Sequence, residues 1–325
     1  MNRKRWSCWI IASLLFITFF LALAVGPIRI SLFDMSATDK VIVFNLRLPR
    51  VLSAFFVGGG LALAGAIFQG LFRNPIADSY LLGVSSGASL GAAAAIVFHL
   101  ASPLANFAAV SSFAFVGSLT ALALVFYFGQ RNGGFSIFRL LLAGLGVGLF
   151  LSSLVAILML MAGEELKALI FFFLGGFSSS SWDTTWVALG CIPVAALAAN
   201  YFAPELNVLL LGEETAQSSG VRTKGIQLLY AVLAALLKSI SVSVAGLIGF
   251  IGLIVPHMIR LSFGADHRTL FPLTFFSGGI FLVLCDAAAR TIIAPAELPV
   301  GIVTSLVGVP VFLYLIRKEN GDFGL

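Results

Sequence analysis

The chain has 325 residues, 60% of them hydrophobic and 10% charged, with a formal net charge of +5 and a mean hydropathy of +1.07. A soluble domain carries about 25% charged residues, so this composition excludes a water-soluble globular protein and places the chain in lipid. Cys8, Cys191 and Cys285 lie in or beside apolar stretches, and His99, His257 and His267 are scattered, so neither a disulfide framework nor a metal site is expected.

Apolar stretches close to the ~20 residues that cross a bilayer recur along the whole chain. They fall near 8–27, 50–71, 80–100, 105–128, 138–162, 185–203, 226–246, 247–263, 271–292 and 299–316, the eighth being short and Gly-rich. Lipid admits only helices or closed barrels as spanning structures. The expected fold class is therefore all-α, a polytopic integral membrane protein with about ten transmembrane helices in one domain over 1–325. The first span follows Arg3-Lys4-Arg5 and ends at Gly26-Pro27, which resembles a signal peptide, but it lacks a small-residue cleavage site and nine spans follow it. With the N-terminus inside, twelve of the 19 basic residues fall on the inner side, six outside, and Lys238 within a span. The excess of inner Lys and Arg predicts both termini in the cytoplasm. The positive charge then follows from topology, with no nucleic acid required.

Taken in chain order, Arg47-Leu48-Pro49-Arg50 opens the second span on the outer side. Proline is ordinary in a first helical turn. The two arginines there either anchor to headgroups or meet an acidic soluble partner. Small residues cluster within spans, as in Gly58-Gly59-Gly60, Ala64-Gly65-Ala66 and Gly83-x3-Gly87-x3-Gly91. Such spacing lets helix backbones approach closely, inside one subunit or between two. Arg73-Asn74-Pro75 and Pro256-His257-x2-Arg260 lie near cytoplasmic span ends, where proline ends or bends a helix. Loops are short apart from the outer segments 28–49 and 163–184 and one polar island, 204–224.

That island predicts two short helices. Glu205 to Leu211 forms the first, Gly212 breaks it, and Glu213-Glu214 open a second at its positive dipole end. Gly220 suits the left-handed stop, with Val221 packing back. On these residues alone the island is either a solvated connector or a rigid knob on the inner membrane face. Further on, Lys238 is a charge within a span, a functional candidate by default, with snorkelling or a pair with Asp286 as the other readings. Asp286 and Arg290 are four apart with the acid first, which predicts an intrahelical pair. Arg290 also lies near the outer surface, where it can face a partner.

No G-x-x-x-x-G-K-[ST] phosphate loop, H-E-x-x-H or catalytic triad is present, so ATP hydrolysis and other covalent chemistry are not expected of this chain. No cofactor is expected either.

From Arg47 to Arg317 the motifs together resemble the FecCD-type permeases of importers for iron–siderophores, haem and cobalamin. The resemblance rests on Arg47-Leu-Pro-Arg50, Gly65-Ala-Ile-Phe-Gln69, Arg73-Asn-Pro-Ile-Ala77, Leu82-Gly-Val-Ser-Ser-Gly-Ala88, Leu211-Gly-Glu-Glu-Thr-Ala216, Gly249-Phe-Ile-Gly-Leu-Ile-Val-Pro-His-Met-Ile-Arg260, Asp266-His-Arg268, Asp286-x3-Arg290 and Glu297-Leu-Pro-Val-Gly301. It implies a permease domain in a bacterial or archaeal plasma membrane. The partners it implies are a second permease subunit, identical or similar, two cytoplasmic ATPase subunits and an extracytoplasmic substrate-binding protein. Leu211, Gly212, Glu213, Glu214, Thr215, Ala216 and Gly220 match the family's ATPase-coupling helices. Arg47, Arg50 and Arg290 match positions that meet carboxylates on the binding protein. The implied cargo is a metal chelate, iron–siderophore first and haem or cobalamin next. The alternative class is an ion-gradient-driven carrier, which would use Lys238 and Asp286 for coupling and leave the island as a plain loop.

Overall fold

The computed structural model describes residues 2–26, 34–74, 77, 82–100, 106–129 and 137–318. Pro27, Arg29, Pro75 and Arg131 lie outside the described residues, as do the side chains of Arg3-Lys4-Arg5 and Cys8. Among the described residues the structure is helical throughout, with no strand. Each of the ten expected spans falls on a helix: α1 (Asn2–Ala24), α3 (Leu48–Phe72), α4 (Val84–Val97), α5 (Asn106–Gly129), α6 (Ile137–Met161), α8 (Trp182–Tyr201), α11 (Thr223–Ala245), α12 (Ile251–Phe263), α13 (His267–Ala289) and α14 (Val300–Lys318). The remaining helices are α2 (Ala37–Val41), α7 (Leu166–Leu174), α9 (Ala203–Leu210) and α10 (Glu213–Ser218).

Two segments expected as loops carry helix among the described residues. Ser36 caps α2, its hydroxyl accepting from the Asp39 amide at 3.1 Å while Asp39 Oδ2 accepts from the Ser36 amide at 3.0 Å. This reciprocal cap satisfies two orphan donors. The helix then runs through a π turn, Ile42–Arg47, directly into α3. In the second segment the apolar run Leu166–Leu174 forms α7, nine residues and so far short of a span.

At the centre stand α3 and α13, which run side by side. A Cβ on Gly58 would fall on the Gly278 backbone, and one on Gly279 on the Phe55 ring, so these glycines are where the two backbones meet. Gly65 stands in the same relation to Gly252 of α12, and Gly87 to Gly117 across α4 and α5. The small residues therefore pack helices within the subunit.

α12 explains the short eighth span. Its second residue rests on Gly65, which lies fifteen residues, or about 22 Å, along α3 from Arg50. The break between α11 and α12, residues 246–250, is thus inside the bundle. Gly246 and Phe250 both take positive φ there, +69° each. Irregular backbone at such depth needs protein partners, and it has them: the Gly176 amide donates to Ala245 O at 2.8 Å and the Leu247 amide to Phe172 O at 3.2 Å. Pro256 does not end its helix, because α12 continues to Phe263. Lacking an N–H, Pro256 leaves the Gly252 carbonyl without its helical donor. Gln69 supplies the replacement, its Nε2 donating to Leu253 O at 3.1 Å and to Gly252 O at 3.4 Å.

Candidate functional site

Polar groups gather at the two ends of the bundle, one marked by Arg50 and Glu297 (the rim end) and one by α9 and α10 (the loop end). At the loop end the polar island folds as its residues dictate. Pro204 stands in the first turn of α9. Gly212, at φ +125°, separates the two short helices, and Glu213 and Glu214 occupy the first turn of α10. The α10 stop is at Gly220, φ +81°, where the Val221 amide donates to Ala216 O at 2.9 Å and the Gly220 amide to Gln217 O at 3.0 Å. These two bonds are the Schellman pattern.

Three helices hold the island. Arg73, in the left-handed conformation at the end of α3, donates through NH2 to Leu209 O at 2.6 Å. Gln227 of α11 donates to Glu213 Oε1 at 2.8 Å. Asn207 of α9 meets the start of α13: its Nδ2 donates to Asp266 Oδ1 at 2.7 Å, and its Oδ1 accepts from the His267 amide at 3.0 Å and from His267 Nδ1 at 2.7 Å. An amide oxygen only accepts, so Nδ1 is the protonated ring nitrogen. Of the seven coupling candidates, Leu211, Glu213, Glu214, Thr215 and Gly220 are exposed, Gly212 is half-buried and Ala216 is buried as the anchor of α10. Leu211 is 72% exposed.

At the rim end the three candidate arginines look inward. α1 ends at Ala24 and leaves its last carbonyls without helical donors. Arg47 NH1 donates to Leu23 O at 2.7 Å and to Ala24 O at 3.0 Å, and Arg290 NH2 donates to Ala22 O at 3.1 Å. Arg47 and Arg290, 6% and 2% exposed, thus cap one helix from two sides. Arg50 forks onto Asp286 at 2.9 Å and reaches Glu297 at 2.9 Å. Arg290 Nε pairs with Asp286 Oδ2 at 3.1 Å, the i,i+4 pair that the spacing predicts. Two guanidinium groups and two carboxylates balance in charge, with Asp286 at 1% exposure between them. Since Arg50 and Arg290 hold Asp286, its carboxylate is committed at the rim end. Lys238 is buried in α11, where Ser239 and Ser241 bond back to carbonyls of their own helix.

Two cavities flank the buried break at 246–250. One, about 450 Å³, is polar-edged and lined by Arg50, His99, Glu165, Ser178, Gly246 and Glu297 among others. The second, about 550 Å³, is apolar, with Phe173, Leu247, Phe250, Gly301, Ile302 and Leu306 in its wall. α7 contributes to both, with Phe171 and Phe172 on the first and Phe173 on the second. Among the described residues no group of three or more His, Cys, Asp or Glu side chains gathers at metal-binding distance.

The anchors Asn207, Gln227 and Arg73 and the carbonyl donor Gln69 carry structural roles that sequence reading did not assign. Gln69 and Arg73 stand in motifs of the family resemblance and Asn207 in the polar island, but nothing in the sequence names their bonding partners.

Comparison with known proteins is consistent along nearly the whole chain. The sequence pattern of the FecCD transport family matches residues 14–318. The cobalamin import system permease of Halobacterium salinarum is 41% identical over 288 residues, covering 89% of this chain and 76% of that protein. The hemin transport system permease of Yersinia pestis is 40% identical over 295 residues, with 89% and 88% covered. Among solved structures, a metal-chelate type ABC transporter in an inward-facing conformation matches with a TM-score of 0.88 at 32% identity, covering 95% of this chain and 98% of the other.

Proposed function

This chain belongs to the FecCD transport family, and from that membership we propose that it is the transmembrane permease subunit of an ATP-binding-cassette importer for a metal chelate. The observation that carries the reading is the loop end. A rigid two-helix knob, fixed to three helices, leaves Leu211, Glu213, Glu214 and Thr215 facing out. An exposed leucine beside two acids suits a cleft on a soluble partner, and the partner proposed is an ATPase subunit. Two such ATPases act on a pair of permeases, identical or similar, in a bacterial or archaeal plasma membrane. Both termini and the loop end face the cytoplasm, as the balance of basic residues favours. Residues 1–325 act as a single permease domain, with coupling centred on 204–224.

At the rim end a substrate-binding protein docks over Arg47, Arg50 and Arg290. Arg50 is the accessible member, its side chain 11% exposed beside the half-open Glu297. Carboxylates on the partner then compete for Arg50, which tunes encounter rate and salt dependence. The cargo is a chelate already wrapped around its metal, iron–siderophore first, haem or cobalamin next. ATP binding and hydrolysis move the loop end and switch the pathway between outward-open and inward-open forms, with no covalent step in the permease.

The test is purification from the native membrane in mild detergent, identification of co-purifying proteins by mass spectrometry, and reconstitution in liposomes. An ATPase and a binding protein should accompany the chain, and uptake should require ATP. Alanine at Glu213 and Glu214 together should abolish that uptake in folded protein. Uptake driven by an ion gradient without any ATPase contradicts the proposal and favours a carrier.

A further inference from the structure

We propose that Asn207 is a positioning residue that passes movement of the inner loop to the joined helices α3 and α13, and through them to the charge cluster at the rim end. The inference rests on the reading of the island as an ATPase-coupling element. α9 has only eight residues, too few to hold a helix by themselves. Its place is therefore set by the burial of Ala203, Leu206 and Leu209 and by its polar anchors. Asn207 makes three hydrogen bonds to the N-cap Asp266 and first residue His267 of α13, and Arg73 of α3 holds Leu209. The His267 ring that receives Asn207 cannot yield easily. A Cβ on Gly70 would stand 2.8 Å from its Nε2, and Phe271 closes on it with ring centroids 5.0 Å apart.

Beyond those anchors α3 and α13 behave as one body. Their backbones touch at Gly58 and Gly278, Phe275 covers Gly59, and Phe55 covers Gly279. Close-packed interiors transmit displacement instead of absorbing it. At the far end Arg50 of α3 is forked onto Asp286 of α13. α13 is 23 residues long, with Pro272 inside it, or about 34 Å, and braced on α3 at Gly58 and Gly278 the pair reaches from Asn207 to Arg50. A displacement of α9 thus arrives at the docking rim, and docking at the rim arrives at α9.

The test uses the permease reconstituted with the ATPase and binding protein that co-purify with it. The readout is the fold by which added binding protein stimulates ATP hydrolysis, per assembled complex. Asn207→Asp sets a second carboxylate against Asp266 and should lower that stimulation about tenfold, within the usual range of coupling between sites. Adding Asp266→Asn removes the like-charge pair while the side-chain oxygen can still accept from the Arg268 amide, as Oδ1 does at 3.1 Å, and should return stimulation to within about twofold of the starting protein. Asn207→Ala, which introduces no repulsion, should show the same loss as Asn207→Asp. Unchanged stimulation in Asn207→Ala and Asn207→Asp overturns the proposal. So does an equal loss in the single and double aspartate variants, since that marks a general structural lesion. Absence of any ATPase on the unmodified complex is a separate result, which removes the coupling reading and this inference with it.

Discussion

The two ends of the bundle spend their polar residues in opposite ways. At the rim end Arg47, Arg50, Asp286, Arg290 and Glu297 satisfy one another and the open carbonyls of α1. At the loop end the polar side chains that bond internally, Arg73, Asn207 and Gln227, serve to hold up a surface that is itself left open. A residue's charge therefore does not tell whether it meets a partner. In the sequence the rim arginines are either headgroup anchors or docking groups, and in this conformation Arg47 and Arg290 bond inward, whereas Glu213 and Glu214, part of either a solvated connector or a rigid knob, are displayed.

That contrast can be broken most severely at Asp286. Asp286→Ala leaves the buried Arg290 without its carboxylate and Arg50 with Glu297 alone, and loss of one partner from a buried charge group costs about 3–5 kcal/mol. We expect loss of monodisperse protein on size exclusion, or a large fall in melting temperature in detergent. A melting curve like that of the unmodified protein would mean that the cluster is solvated and not structural. Next in size is Gly65→Ala, whose methyl group would meet the Gly252 backbone. Overpacking of this kind costs about 2–3 kcal/mol, visible as a lower melting temperature with uptake reduced in proportion to folded protein. Smaller again is Gln69→Ala, which strips the carbonyls of Gly252 and Leu253 of their side-chain donor. About 1–2 kcal/mol is expected, and Gln69→Glu, which cannot donate when ionised, should be no better.

Most of the architecture is legible in the sequence because lipid leaves few choices. Twenty apolar residues bounded by charge have one solution in a bilayer; among the described residues six helices are long and apolar enough to cross one, and four shorter apolar helices carry the other expected spans. Local signals are equally readable: Gly220 ends α10 and Asp286 pairs with Arg290 one turn on. What escapes sequence reading is long-range. Arg47 and Arg290 cap α1 from 24 and 268 residues away, and Gln69 serves a proline gap 183 residues distant. No periodicity encodes such pairings. α7 escapes for another reason, being apolar but too short to register as a span, and the depth of residues 246–250 follows only from where α12 meets Gly65.

The smallest structural effect belongs to Glu214, exposed and with no bond that holds the fold among the described residues, and it gives the most direct measurement. Glu214→Arg should change stability by less than about 0.5 kcal/mol, as surface substitutions do. Melting temperature and ATPase association would be measured on the same preparation. We expect an unchanged melting temperature with the ATPase lost from the purified complex. An ATPase that stays bound and active to the charge-reversed protein would contradict the assignment of the loop end as the coupling surface.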